Sequence, residues 1–144
     1  IPVAIVSDGF RFVIDTVLEN HFKTFPELAG NIPVFSNDLL WKNSTVEAVF
    51  PDHSICEHKC ANCKVRVIRE NNPDGGTILF IGDGLSDRFA AKAATLTFAK
   101  NKLLKFCQEH RINHQAYLNF KDIENWVLKN VGKELEWHSP KKSF

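Results

Sequence analysis

The sequence predicts a single α/β domain over residues 1–144, built on a mostly parallel sheet. Three observations carry that expectation. Short apolar runs that read as buried strands alternate with segments of helical periodicity. The clearest of those runs leads directly into a glycine-rich acidic turn. No internal repeat, low-complexity tract or linker divides the 144 residues, a length that suits one hydrophobic core.

The elements follow in order. Residues 3–6, Val3-Ala4-Ile5-Val6, form an apolar run ending at Ser7-Asp8-Gly9, the pattern of a buried strand. Phe10, Val13, Ile14, Val17, Leu18 and Phe22 then recur at helical spacing, which predicts an amphipathic helix. A loop through Pro26 and Gly30 leads to a second strand over residues 32–36. Residues 39–50 alternate in part around Asn43-Ser44, which predicts a separate hairpin. Residues 51–62 are polar and rich in Cys and His, and read as a loop. Asn62 is placed to cap a short helix carrying Val65, Val67 and Ile68 up to Asn71. Asn72-Pro73-Asp74-Gly75-Gly76 is a strong turn. Residues 77–81 are the best-defined strand. Phe89, Ala90, Ala93 and Ala94 give a small-residue helix face, and residues 96–99 a further strand. Helices are expected over 102–110 and 121–131, with a frayed tail around Lys141-Lys142.

Composition narrows the function classes. With 44% apolar and 24% charged residues, intrinsic disorder is excluded. No apolar run approaches the ~18 residues that a spanning helix needs, so no membrane partner is expected. Eighteen basic residues against seventeen acidic ones leave a net charge of +1, which provides no field for nucleic acid. Four cysteines are too few for a disulfide scaffold, so a reducing, cytoplasmic setting is expected. The chain contains no methionine and opens directly on an apolar strand, without the charged and apolar regions of a signal peptide. The simplest expectation is a fragment of a longer protein.

In open α/β sheets ligands bind beyond the carboxyl ends of the strands, where two polar clusters are expected. Ser7-Asp8-Gly9 combines a hydroxyl with backbone N–H groups at the start of a helix, a natural phosphate cradle; its plainer reading is a strand-to-helix turn. In Gly82-Asp83-Gly84-Leu85-Ser86-Asp87 two carboxylates four residues apart flank glycines. Such hard oxygen ligands suit Mg²⁺, which takes few carboxylates together with waters and substrate phosphate. The plainer reading there is a turn with a helix cap. Lys64 adds a point charge for a phosphate or for a carboxylate.

The order and spacing of these clusters resemble the haloacid dehalogenase (HAD) superfamily of phosphohydrolases. Val3-Ala4-Ile5-Val6-Ser7 is similar to its second motif, an apolar strand ending in Ser or Thr. Lys64 stands where its third motif has a lysine. Ile78-Leu79-Phe80-Ile81-Gly82-Asp83-Gly84-Leu85-Ser86-Asp87 is similar to its fourth, a strand followed by Gly-Asp-x-x-x-Asp. His53-Ser54-x-Cys56, Cys60-x-x-Cys63-Lys64, Phe98-Ala99-Lys100-x-x-Leu103-Leu104 and Asn113-His114-x-x-Tyr117-x-x-Phe120 resemble the phosphoserine-phosphatase-like subgroup, in the branch that includes methionine-salvage phosphatases. The resemblance implies a Rossmann-like three-layer core and a Mg²⁺-dependent phosphatase acting on a small phosphorylated metabolite through an aspartyl-phosphate. By the same resemblance Ser7, Asp8, Gly9 and Lys64 would bind the phosphoryl group, Asp83 would ligate Mg²⁺, and Asp87 would support that ion from behind. The family's first motif, Asp-x-Asp on a central strand, and its helical cap precede the second motif. Neither is among these 144 residues, and Asp8 and Asp15 do not replace the missing pair. The family arrangement places the absent strand between those of the second and fourth motifs, so the chain alone is expected to be unstable in that fold and inactive. A phosphate-binding or partner-binding module without turnover is the alternative.

His53, Cys56, His58, Cys60 and Cys63 fall within eleven residues. Cys-x₃-Cys-x₂-Cys with a nearby His is ligand-like spacing for tetrahedral Zn²⁺ at Cys56, Cys60 and Cys63. Three reduced thiols in a loop, or a disulfide, are the other readings, and a zinc-stabilised interaction domain is a third function class. Cys107, beside Phe106 on a helix, is expected in the core.

Overall fold

A computed structural model describes residues 2–26 and 30–130; Val131 and the Lys141-Lys142 tail lie outside the described residues. The chain forms two compact units, Ile1–Val67 and Ile68–Phe144. Each holds a three-stranded sheet.

In the first unit β1 (Ile5–Phe10) leads into α1 (Arg11–Phe22), and β2 (Val34–Lys42) turns back as β3 (Thr45–Val49). β2 pairs parallel with β1 through its first residues and antiparallel with β3 through its last. The expected second strand and first hairpin arm are therefore one nine-residue strand. The turn expected at Asn43-Ser44 is present, with Asn43 in the left-handed region at φ 50°, which asparagine tolerates better than most residues. β1 also differs from expectation, because it runs on through Ser7-Asp8-Gly9 instead of stopping before them. Val6 pairs with Phe35 and Phe10 with Asn37, so three residues of β1 face one of β2. Ser7, Asp8 and Gly9 form this bulge, a device that redirects side chains locally.

The buried residues of the first unit are mostly polar. Asn37, Asp52, Asn62 and Lys64 are buried, with Val67 the apolar exception among the described residues, whereas Phe12, Val13 and Val17 of α1 stay exposed. A buried polar group is tolerable only when it is hydrogen-bonded. Asp52, 1% exposed, accepts from the Cys63 N–H at 2.6 Å and from Arg66 Nε at 2.6 Å and Nη2 at 3.1 Å. It thereby caps α2 (Lys64–Asn71), which crosses from the first unit into the second. Asn62 is not the cap that its position predicts. Its amide donates to the Ser7 and Phe35 carbonyls at 2.9 and 2.7 Å, tying the loop to both parallel strands.

The second unit is closer to expectation. β4 (Leu79–Gly82), β5 (Leu96–Ala99) and β6 (His114–Ala116) pair in that order, all parallel. α3 (Arg88–Ala93), α4 (Asn101–Glu109) and α5 (Phe120–Asn130) accompany them. β5 is buried at every position, and its one polar side chain, Thr97, donates its hydroxyl to the Ala91 carbonyl at 3.3 Å, as a buried polar group requires. Ala91, Ala99, Leu103 and Cys107 form one core cluster, and Leu96, Phe98, Tyr117 and Ile123 another. The turn at 72–76 is closed by the Asn72 side chain, which exchanges hydrogen bonds with Gly76 N–H and C=O. Among the described residues three of the four strand pairings are parallel, and the mixed α/β organisation fits a Rossmann-like core.

Two stability tests follow. A Cβ at Gly82 would lie 2.7 Å from Asp87 Oδ2 and 2.9 Å from both Leu103 Cδ2 and Phe80 Cε1. Gly82→Ala is expected to destabilise the protein by about 1–3 kcal/mol, measured as a shift in its urea midpoint. Burial alone would raise the Asp52 carboxyl, but hydrogen bonds from Arg66 and from Cys63 N–H outweigh it and hold the pKa below 3.8. The stabilisation is therefore complete above the ordinary carboxylate value and is lost as pH falls through the lower folded-state value. Asp52→Ala is expected to cost about 3 kcal/mol near neutrality. Urea unfolding repeated down to about pH 3 should show that cost shrinking, because the wild type loses the same interaction in acid.

Candidate functional site

The first unit brings Ser7, Asp8, Gly9 and Lys64 together. Ser7 Oγ accepts from the Gly9 N–H at 3.0 Å, so that N–H already has a partner inside the bulge. The Asp8 carbonyl accepts from the Asn37 amide at 2.7 Å, and the Ser7 carbonyl is held by Asn62. Two buried amides thus fix the two peptide groups at the centre of the bulge. Lys64 opens α2 and is only 8% exposed, and its Nζ meets Asp8 Oδ2 at 2.7 Å. The pair sets a lysine charge beside the Ser7 bulge and turns the Asp8 carboxylate toward that lysine. The Asn37 Oδ1 is buried without a donor.

Asn37, Asn62 and Asp52 were not among the residues expected at a site. Two of them carried a readable signal. Asn37 stands between Ser36 and Asp38 in the middle of β2, and Asn62 lies two residues before Lys64. An amide that the fold buries has to bond to something.

The second unit carries Asp83 and Asp87. Residues Leu85–Asp87 form a single 3-10 turn after β4, and this short turn folds Asp87 back. Its Oδ2 accepts from the N–H groups of Asp83 and Gly84, both at 3.1 Å, and the residue is buried. Asp83 is exposed, and its Oδ2 lies 3.4 Å from the Asn101 amide. Four residues apart in sequence, the two carboxylates therefore differ in situation: one shapes the loop and the other is presented by it. Tyr117 is buried nearby, with Lys100 Nζ 5.0 Å over its ring. Burial first, and then the charges of Asp83 and Asp87, push its phenol above the ordinary value.

The loop between β3 and α2 gathers three thiols. The sulfurs of Cys56, Cys60 and Cys63 all lie within 4.8 Å of one another, and all four cysteines are free. The N–H of Cys60, with that of His58, lowers the Cys56 thiol to about 7. Burial, and then the neighbouring Cys56 and Cys63 sulfurs, raise Cys60 to about 11. Cys107 is fully buried on α4, as expected. No described helix is long and apolar enough to cross a membrane.

Comparison with known proteins follows the motifs. No protein-family model matches the chain. The chain is 28% identical over 145 residues to the 2-hydroxy-3-keto-5-methylthiopentenyl-1-phosphate phosphatase of Bacillus pumilus, covering 99% of this chain and 59% of that protein. It is 30% identical over 140 residues to the phosphatase of the same name from Bacillus cereus, covering 86% and 64%. It is 27% identical over 144 residues to the bifunctional enzyme MtnB/MtnX of Bacillus licheniformis, covering 99% and 32%. The chain thus spans 32% to 64% of the length of these relatives. The expected phosphatase resemblance is borne out: over nearly its whole length this chain is similar to proteins named 2-hydroxy-3-keto-5-methylthiopentenyl-1-phosphate phosphatase.

Proposed function

We propose that the full protein is a Mg²⁺-dependent phosphatase that hydrolyses a small phosphomonoester. The observation that carries the reading is the buried Lys64 ammonium held against a strand bulge that presents Ser7, in a chain whose relatives bear phosphatase names. A transferring phosphoryl group gathers negative charge on its oxygens, and a fixed cation with hydroxyl and N–H donors stabilises that charge without having to reorganise. In this reading Lys64 supplies the cation, Ser7 donates its hydroxyl hydrogen to a phosphoryl oxygen, and the bulge supplies the main-chain geometry. Asp8 keeps the lysine oriented and, as an ion pair, offsets its charge until an anionic substrate arrives.

Asp83 fits a magnesium ligand. Its carboxylate is exposed and hard, on a loop held rigid by the bonds of Asp87, and Mg²⁺ characteristically keeps several waters beside one or two protein carboxylates. Asp87 acts through the loop, its Oδ2 being engaged by two backbone N–H groups. When bound, the ion neutralises phosphate charge. The nucleophile that forms an aspartyl-phosphate in this reading is assigned to sequence outside these 144 residues, and no described carboxylate is given that role.

The test is phosphate release by the full protein, first from 2-hydroxy-3-keto-5-methylthiopentenyl-1-phosphate, the ester in the relatives' names, and then from other small phosphomonoesters. Turnover should depend on Mg²⁺. Asp83→Asn keeps the shape but removes the charge, and at limiting Mg²⁺ it should lower turnover by about 100-fold or more. Ser7→Ala removes one hydrogen bond to a charged oxygen and should cost less, about 1–3 kcal/mol of transition-state stabilisation. Binding of a phosphorylated ligand with no turnover would favour a module that only binds. Near-wild-type turnover by Asp83→Asn at limiting Mg²⁺ would remove the metal assignment.

A further inference from the structure

The loop between β3 and α2 has a construction that phosphoryl handling does not call for. It is hung at both ends on one buried residue. Cys56 N–H donates to the Asp52 carbonyl at 2.8 Å, and Cys63 N–H donates to the Asp52 carboxylate at 2.6 Å. Asp52 N–H in turn donates to the Ala61 carbonyl at 3.2 Å. Between these anchors Lys59 sits in the left-handed region at φ 53°, with its N–H on the Cys56 carbonyl at 2.9 Å. A non-glycine residue held there is a local strain that the surrounding structure has to impose. The outcome of the reversal is that Cys60 returns to Cys56, and the three sulfurs converge within 4.8 Å.

We propose that Cys56, Cys60 and Cys63 form a Zn²⁺ site. Sulfurs around a tetrahedral zinc ion with Zn–S bonds of about 2.3 Å stand roughly 3.8 Å apart, so the observed spacing is within an ångström of the closed geometry. The backbone N–H groups of His58 and Cys60 point at the Cys56 sulfur, the outer-shell support that ligating groups characteristically receive. A disulfide would use two of the three sulfurs and leave the convergence of the third unexplained. Each thiol gives up its proton as its sulfur binds, three per ion. Among the described residues no histidine or carboxylate joins the three sulfurs, which leaves the fourth position to water or an exchangeable ligand. The ion would close the loop whose last residue, Cys63, leads directly into α2. The site uses none of the proposed phosphatase residues, although Cys63 adjoins Lys64, and its test does not depend on them.

The test is made on the full protein, expressed with zinc and dialysed extensively, by elemental mass spectrometry. Close to one zinc per chain is expected. Replacing the ion with Co²⁺ should produce a thiolate-to-cobalt charge-transfer band and the visible bands of a tetrahedral ion. Cys56→Ser, Cys60→Ser and Cys63→Ser should each lower the charge-transfer intensity by about a third and weaken binding by more than ~10-fold. Cys107→Ala should leave metal content unchanged. Less than about a tenth of an equivalent of zinc with no cobalt band in the unmutated protein would overturn the proposal. So would a disulfide between two of the three cysteines in metal-free protein purified under reducing conditions. Because the decisive measurement uses unmutated protein, a variant that fails to fold does not blunt it.

Discussion

The first unit depends on the carboxylate of Asp52. Its described interior contains hardly any fully buried hydrocarbon, so burial area alone cannot define its shape. Directional bonds do so instead, and Asp52 joins two pieces: the end of the loop carrying the cysteines, through the Cys63 N–H, and α2, through the Arg66 side chain. An anion taken from water is costly unless its oxygens are engaged, and here both oxygens have donors. Asn62 extends the same arrangement to the two parallel strands, and Asn37 to the bulge. Lys64 then needs no apolar socket. It is placed because the helix that bears it is capped from one side and the strand that meets it is pinned from the other.

How much of this was legible follows from what a sequence pattern encodes. β5 was read with its bounds intact, because three of its four residues are apolar and polar Thr95 and Lys100 mark its ends. The turn at 72–76 was legible from residues that tolerate only a few conformations. β6 was missed, because three residues are too few to show any period. The end of β1 was misplaced because Ser7-Asp8-Gly9 has turn chemistry, and only the pairing partner shows that the strand carries it as a bulge. Asn62 was assigned to capping on local grounds; a contact with Ser7, distant in sequence, overrode them.

The candidate residues were legible in the same partial way. Motif spacing brought Ser7 and Lys64 forward, and the structure places both at the bulge. The Asp8–Lys64 pair was not foreseen, since nothing in one dimension shows that a carboxylate and an amine 56 positions apart will meet. The two aspartates after β4 look alike in sequence. Their difference arises from the 3-10 turn, whose tight pitch aims one carboxylate back at its own backbone. Residue type and spacing thus indicate which chemistry is available, and loop geometry decides which copy of a side chain is free to perform it.

The bulge in β1 has a consequence for how this stretch can change in length. Between the paired positions, β1 takes four steps from Val6 to Phe10 while β2 takes two from Phe35 to Asn37. Phe10 is the last residue of β1, and α1 begins at Arg11. A change in length at Ser7-Asp8-Gly9 therefore has one paired strand position after it to displace, and no run of alternating side chains to invert. Its effect would fall on the Ser7 hydroxyl and the Asp8 carboxylate rather than on the sheet.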